Sequence, residues 1–275
     1  MPTHPLLALL VLLSLALPAS AEPVANPLKP GQTWQELRAG IVGTREIRDG
    51  SGLLTLDAPY RAHDAAIVPV TIRQTAGSGI DIRRLTLVVD ENPAPVAAEF
   101  EFGSVLGRVE MSTRVRVNAY SNLRAIAETA SGELYMVGRF VKASGGCSAP
   151  ALKDADAALA QLGRMKMRVF GEFDETPPPA GRTEAQVMIR HPNYSGLQMN
   201  QITRHYIPAH FVREVEVRAG GDLVFRMTGG ISISEDPAFR FRFDDRGIDA
   251  LAVRAVDTED AVFEQSFPVE PRRES

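Results

Sequence analysis

The segment RVEMSTRVRV, residues 108–117, sets Val109, Met111, Thr113, Val115 and Val117 in strict alternation with Arg108, Glu110, Ser112, Arg114 and Arg116. A side-chain period of two belongs to an extended strand with one face buried, whereas the apolar positions of an amphipathic helix recur every three or four residues. The same kind of run returns along the chain. AAIVPVTIRQ, RRLTLVVD and VAAEFEF precede it, LRAIAET and ELYMVGRFV follow it, and DENPAP, GSVLG, NAYSN and ASGE lie between them as turns. Short strands punctuated by turns at this spacing predict a β-sandwich that ends near Lys142.

Two stretches break the pattern. QTWQELRAGIVG, which holds the sole tryptophan, Trp34, predicts a short helix ahead of the first strands, and KDADAALAQL, Lys153–Leu162, predicts another because it is rich in Ala and Leu and lacks Gly and Pro. Beyond it β patterning resumes in RMKMRVFGEF, EAQVMIRHP, FVREVEVRAGGDLVFRMTGG, AFRFRFDDRG, DALAVRAVD and AVFEQSFPV, six or seven strands in all. VRAGGDLV is a hairpin with a Gly-Gly turn. Phe239, Phe241 and Phe243 alternate with Arg240 and Arg242. The chain is therefore expected to be all-β, with one sandwich over residues 22–142, an arm and linker helix over 143–164, and a second sandwich over 165–275.

The N-terminus, MPTHPLLALLVLLSLALPASAEP, has an apolar run from Leu6 to Leu17 and the small-x-small triplet Ala19-Ser20-Ala21. This predicts a secretory signal, residues 1–21, cleaved after Ala21 and placing the mature chain in the periplasm. No Lys or Arg precedes the run, so an uncleaved anchor is the alternative, although about a dozen apolar residues is short for a bilayer span. No second long apolar run follows, and the mature protein is expected to have no membrane association. PVANPLKPG reads as a mobile Pro-rich tether. A formal charge of −4, with no basic cluster interleaved with aromatics, excludes nucleic acid as a partner.

Cys147 is the only cysteine and lies in ASGGCSAP, about five residues past the last strand of the first sandwich. In an oxidising compartment cysteines are normally paired, so a single one leaves a free or intermolecularly paired thiol. A buried, inert Cys is the ordinary alternative. The neighbours oppose it: no large apolar side chain is adjacent, and Gly145-Gly146 predicts an exposed, mobile arm with Ser148 on its far side. No histidine is local in sequence. The thiol is expected to titrate near the ordinary value of about 8.5, pulled down somewhat by Arg139, Lys142 and Lys153, which suits an acceptor charged by a partner better than a self-activated nucleophile.

Other constellations are weaker. The histidines beyond the signal are His63, His191, His205 and His210, and the five-residue spacing of His205 and His210 around a proline matches no standard metal pair. Asp90-Glu91, Asp244-Asp245 and Glu259-Asp260 fall in expected turns and read as solvated. Walker, dinucleotide, nucleophile-elbow and haem-attachment motifs are absent. The expectation is a non-enzyme with no cofactor and no metal.

IVPVTIR, LTLVVDENPAPVAAEFEF, VEMSTRVRV and GELYMVGRFVKASGGC resemble SoxY, the sulfur-carrying subunit of the periplasmic thiosulfate-oxidation system, in which a Gly-Gly-Cys arm bears the substrate. IRHPNYSGLQMN and IPAHFVREVEVRAGGDLVFRMTGGISISEDPAFRFRF resemble SoxZ, its partner subunit. Together they are similar to the fused SoxYZ-like carriers associated with quinoprotein (PQQ-dependent) dehydrogenases. The resemblance implies an immunoglobulin-like sandwich for each half and Cys147 as the covalent attachment point of a sulfur group. It implies periplasmic redox partners: a c-type cytochrome, Sox-type sulfur enzymes or a quinoprotein dehydrogenase. One departure is plain. In SoxY the arm ends in Gly-Gly-Cys-Gly-Gly and is free, whereas here Ser148-Ala149-Pro150 and a whole domain follow. Five residues span at most about 17 Å, so the arm is a loop tethered at both ends unless the linker helix unwinds.

Three readings follow. The first is a periplasmic carrier that holds a thiosulfate-derived or related adduct on Cys147 and presents it to partner enzymes. The second is a non-catalytic docking module for a quinoprotein dehydrogenase and its cytochrome c, with the thiol incidental. The third is a small metal- or ligand-binding sandwich that uses His205 and His210.

Overall fold

The alternating runs do form strands. In the computed structural model, which describes residues 26–150, 158–170, 181–245 and 247–269, the first half contains β1 (Ile47–Asp49), β2 (Leu54–Asp57), β3 (Val68–Gln74), β4 (Ile82–Val89), β5 (Val96–Phe102), β6 (Glu110–Val115), β7 (Ser121–Thr129) and β8 (Leu134–Val141). The second half contains β9 (Met165–Phe170), β10 (Arg182–Ile189), β11 (Val212–Ala219), β12 (Asp222–Gly229), β13 (Ala238–Asp244), β14 (Ala250–Asp257) and β15 (Val262–Pro268). The expected N-terminal helix is α1 (Thr33–Val42). β1 and β2 were not expected, because three- and four-residue strands are too short to show a period. The expected signal segment, residues 1–21, lies outside the described residues. So does most of the expected helix Lys153–Leu162, of which residues 158–162 are described, in tight turns closed by Gln161 N–H to Ala158 O and Leu162 N–H to Leu159 O.

The fold is a β-sandwich whose two sheets each run through both halves of the chain. One sheet has the order β1-β8-β7-β4-β5-β12-β11-β14-β15 and the other β2-β3-β6-β13-β10-β9. The halves meet twice, edge to edge. β5 pairs antiparallel with β12 from Phe102↔Phe225 to Ala98↔Gly229, and β6 pairs with β13 at Met111↔Phe241 and Ser112↔Arg240. Each half thereby covers an edge that would otherwise leave a row of backbone donors and acceptors open. Between the sheets at this seam, Phe100 contacts Phe225 and Phe239, and Phe225 contacts Phe241, with ring centroids 5.1 to 6.3 Å apart. All four rings are buried, and one continuous apolar core extends from Leu53 in the first half to Val269 in the second.

β7 is buried on both faces, because α1 covers the outer side of the large sheet. Trp34 of α1 lies 4.3 Å from the Arg124 guanidinium, and Arg124 in turn grips Asp90 through three contacts of 2.8 to 3.1 Å. Asp90, expected in a solvated turn, is thus part of a buried ion pair. Residues 26–30 do not behave as a free tether either. Asn26 Nδ2 donates to Ala58 O at 2.9 Å, Asn26 O accepts from Phe140 N–H at 2.9 Å, and Asn122 binds both the N–H and the C=O of Lys29 at 2.8 and 2.9 Å.

Candidate functional site

After β8 the chain runs along the end of the sandwich, and the Gly-Gly-Cys segment is drawn in rather than projected outward. Gly145 N–H donates to Asn118 O at 2.8 Å and Gly146 N–H to Val117 O at 3.0 Å, and a turn closes from Ser148 N–H to Gly145 O at 3.2 Å. The two glycines have distinct reasons. Gly145 has φ of +79°, a region that penalises a side chain. Gly146 has no room for one: a Cβ there would lie 2.1 Å from Ala65 O and 2.7 Å from Val117 O. The pair that predicts mobility instead allows close docking.

Cys147 is fully buried, contrary to the exposed arm expected from its neighbours. A segment of the second half covers it. Ser195 Oγ donates to Cys147 O, and Gln198 Nε2 donates to Ala149 O at 2.8 Å. Ser148 faces solvent, as do Ser144 and Pro150, and its hydroxyl turns back to Gly145 O at 3.3 Å. Burial raises the thiol pKa to about 11, partly opposed by the positive charge of Arg116. The expected reference-like value with help from Arg139, Lys142 and Lys153 is therefore corrected in both size and cause. The cation coupled to the thiol comes from β6's continuation, not from the arm.

Alternation placed Arg116 and Glu110 on the solvent face, and both are buried. Arg116 passes under the arm, with Nη1 donating to Gly146 O at 3.2 Å and Nη2 to Asn193 O at 3.1 Å. Glu110 sits at the seam between the halves. Burial alone would raise its pKa, but the hydrogen bond from Arg108 and the charges of Arg182 and Arg242 outweigh it and hold the carboxylate below its usual range.

Asn193 organises the covering segment. Its φ of 45° is a left-handed conformation that Asn tolerates better than most residues. Its Oδ1 accepts from Val212 N–H at 3.1 Å and its Nδ2 donates to Ser234 O at 3.2 Å. Arg116, Asn193, Ser195 and Gln198 were not singled out in the sequence, and the only signal for the last three is the polar density of HPNYSGLQ.

His205 and His210 do not come together. His205 is exposed on a loop closed by the Met199–Tyr206 bridge, while His210 is buried and joins His191 and Asp257, the ligand-type atoms of the three lying within 4.8 Å of one another. His210 Nε2 is 2.8 Å from Asp257 Oδ2, and Asp257 Oδ1 accepts from the N–H groups of Glu259 and Ala261, both at 2.9 Å. Asn193 N–H donates to His191 Nδ1 at 3.0 Å, so the neutral His191 ring carries its proton on Nε2, 3.5 Å from Asp257. Burial and the neighbouring His210 push the His191 pKa down to about 4, which keeps it neutral. A protonated Nε2 offers no lone pair to a metal. The two remaining groups fall short of the three protein ligands of a catalytic zinc site. The cluster is a buried carboxylate clasp joining the covering segment to β14.

Residues 38–147 match the family described as sulfur oxidation protein SoxY, and residues 175–268 match the family described as sulphur oxidation protein SoxZ. The SoxY match ends on Cys147. Among solved structures, the sulfur carrier protein SoxY from Chlorobium limicola f thiosulfatophilum is 24% identical, with a TM-score of 0.34, over 41% of this chain and 92% of that one. A superoxide reductase (neelaredoxin) from Ignicoccus hospitalis is 13% identical, with a TM-score of 0.29, over 39% of this chain and 90% of that one. No curated protein matches. Among the described residues, no helix is long and apolar enough to cross a membrane.

Proposed function

Because this chain is a fused SoxYZ-like protein, with a SoxY and a SoxZ domain in one polypeptide, we propose that it is a periplasmic, non-catalytic carrier that holds a thiosulfate-derived sulfur group or related adduct on Cys147. Partner enzymes load and unload it: a c-type cytochrome, Sox-type sulfur enzymes or a quinoprotein dehydrogenase. The observation that carries this reading is the placement of the chain's one thiol at the end of the SoxY match, on a glycine arm lodged against the SoxZ half.

The arm is held by hydrogen bonds from Gly145 and Gly146 N–H to backbone carbonyls, by Arg116 to Gly146 O and by two side chains of the covering segment, contacts worth about 1 to 3 kcal/mol each, and its opening leaves the strand pairing of the sandwich in place. In the closed position the thiol is sheltered from oxidants. In the open position it reaches a partner. This replaces the free swinging arm of a separate SoxY with a hinged loop, and the fusion holds the two domains at one-to-one stoichiometry.

The test is the mass of the tryptic peptide Ala143–Lys153, isolated without reductant from the native periplasm. A sulfane or thiosulfonate adduct that reductant removes is expected. A bare thiol under conditions in which the protein is required would reject the carrier. The burial of Cys147 also agrees with the docking-module reading, in which an incidental thiol has no need to emerge. Cys147→Ser separates the two: loss of function supports the carrier, and full function supports docking.

A further inference from the structure

Two arginines of the first half are almost fully buried, and the molecule treats them differently. Arg124 is neutralised by Asp90 at 2.8 Å. Arg116 is 1% exposed and meets only neutral carbonyl oxygens, those of Gly146 and Asn193, while its Nε has no hydrogen-bond partner. A buried guanidinium without a carboxylate is costly, and here burial lowers its pKa. Glu235 and Asp64 also act on it electrostatically. The arm it supports through Gly146 O carries Cys147 as the next residue, and the guanidinium charge couples to that sulfur.

In the closed arm that sulfur is a neutral thiol, so the guanidinium beside it has no anion hydrogen-bonded to it, and its Nε–H is unpartnered. A substituent that stays anionic when buried would supply that anion. A terminal sulfonate remains ionised under all ordinary conditions, and a persulfide is more acidic than the parent thiol. We propose that Arg116 is an anion seat for the group carried on Cys147, so that the closed arm favours an anionic sulfur adduct over a neutral one of similar size. This rests on the carrier reading and deepens it: Arg116 selects cargo by charge, and Nε–H is the donor available to it.

The test compares two adducts made chemically on the full mature protein. With tetrathionate, the Cys147 thiolate attacks an inner sulfur, the central S–S bond breaks, thiosulfate leaves, and the thiol proton passes to buffer, giving the anionic S-thiosulfonate. With propyl methanethiosulfonate the thiolate attacks the propyl-bearing sulfur, the S–S bond to the sulfonyl group breaks and methanesulfinate leaves, giving a neutral propyl disulfide of similar size. Both are formed in mild urea, the urea is removed, and intact mass confirms complete modification. The S-thiosulfonate form is expected to melt about 4 °C or more above the propyl form. The gap should vanish in Arg116→Met and persist in part in Arg116→Lys. If Arg116→Met does not fold, Arg116→Gln takes its place, removing the charge while keeping two donors. An S-thiosulfonate form that melts at or below the propyl form in the native sequence overturns the proposal, and so does a gap that survives loss of the Arg116 charge. Failure of the carrier reading is separate. A bare thiol in the native periplasm leaves the charge preference of chemically loaded protein measurable.

Discussion

Cys147 is held in its unreactive form by the same contacts that hide it. Its folded pKa of about 11 leaves roughly a hundredfold less thiolate at neutral pH than an ordinary thiol, because burial in a region with one offsetting cation disfavours the charged form. Alkylation by iodoacetamide at pH 7.5 should therefore run at least about 100-fold slower in the native protein than in the urea-unfolded chain, and Ser195→Ala should narrow that gap by loosening the cover. A native rate equal to the unfolded rate would mean that the arm is not docked in solution. The same shift fixes a pH response. With the folded pKa above the unfolded one, the contribution of the thiol to stability is complete below about pH 8.5 and is lost as pH climbs toward 11. The urea midpoint should fall across that window, and Cys147→Ala should remove this component of the fall.

At the scale of elements, α1 and the strand beneath it form a unit sealed by charge. Arg124 and Asp90 are 5% and 1% exposed at their side chains, and Trp34 lies against the guanidinium, so removing one ion strands the other without water. Asp90→Asn is expected to cost about 3 kcal/mol in urea denaturation. Arg73→Gln, which breaks a pair more than half exposed on both sides, should cost less than about 1 kcal/mol. Equal costs would show that the Asp90 pair is solvated. The N-terminal segment belongs to this element too, since Asn122 fixes Lys29 by a reciprocal pair of hydrogen bonds that no compositional argument about a Pro-rich stretch reveals.

At the scale of the whole molecule, the two halves share both sheets and one core, and separate unfolding would expose the Phe100, Phe225, Phe239 and Phe241 cluster together with two strand edges. The sole tryptophan, Trp34, reports on the first half only, whereas far-ultraviolet circular dichroism reports on both. Urea curves from the two probes should coincide. A tryptophan transition clearly separated from the circular dichroism transition would show that the seam is not cooperative. Local order in the chain was sufficient to determine the longer strands, though not β1 and β2, as well as α1, the all-β class and the segment that carries the thiol, because alternation, turn residues and a unique cysteine are properties of neighbouring residues. The burial of Cys147, the buried Arg116 beside it with no hydrogen-bonded carboxylate, the cover from Ser195 and Gln198, and the pairing of β5 with β12 were decided only by the tertiary structure. Each joins groups thirty to well over a hundred residues apart. A period of two assigns a residue to a face of its strand, but what lies over that face depends on which distant segment packs there, and that is why Arg116 reads as a surface charge in sequence and stands at the centre of the site in the folded chain.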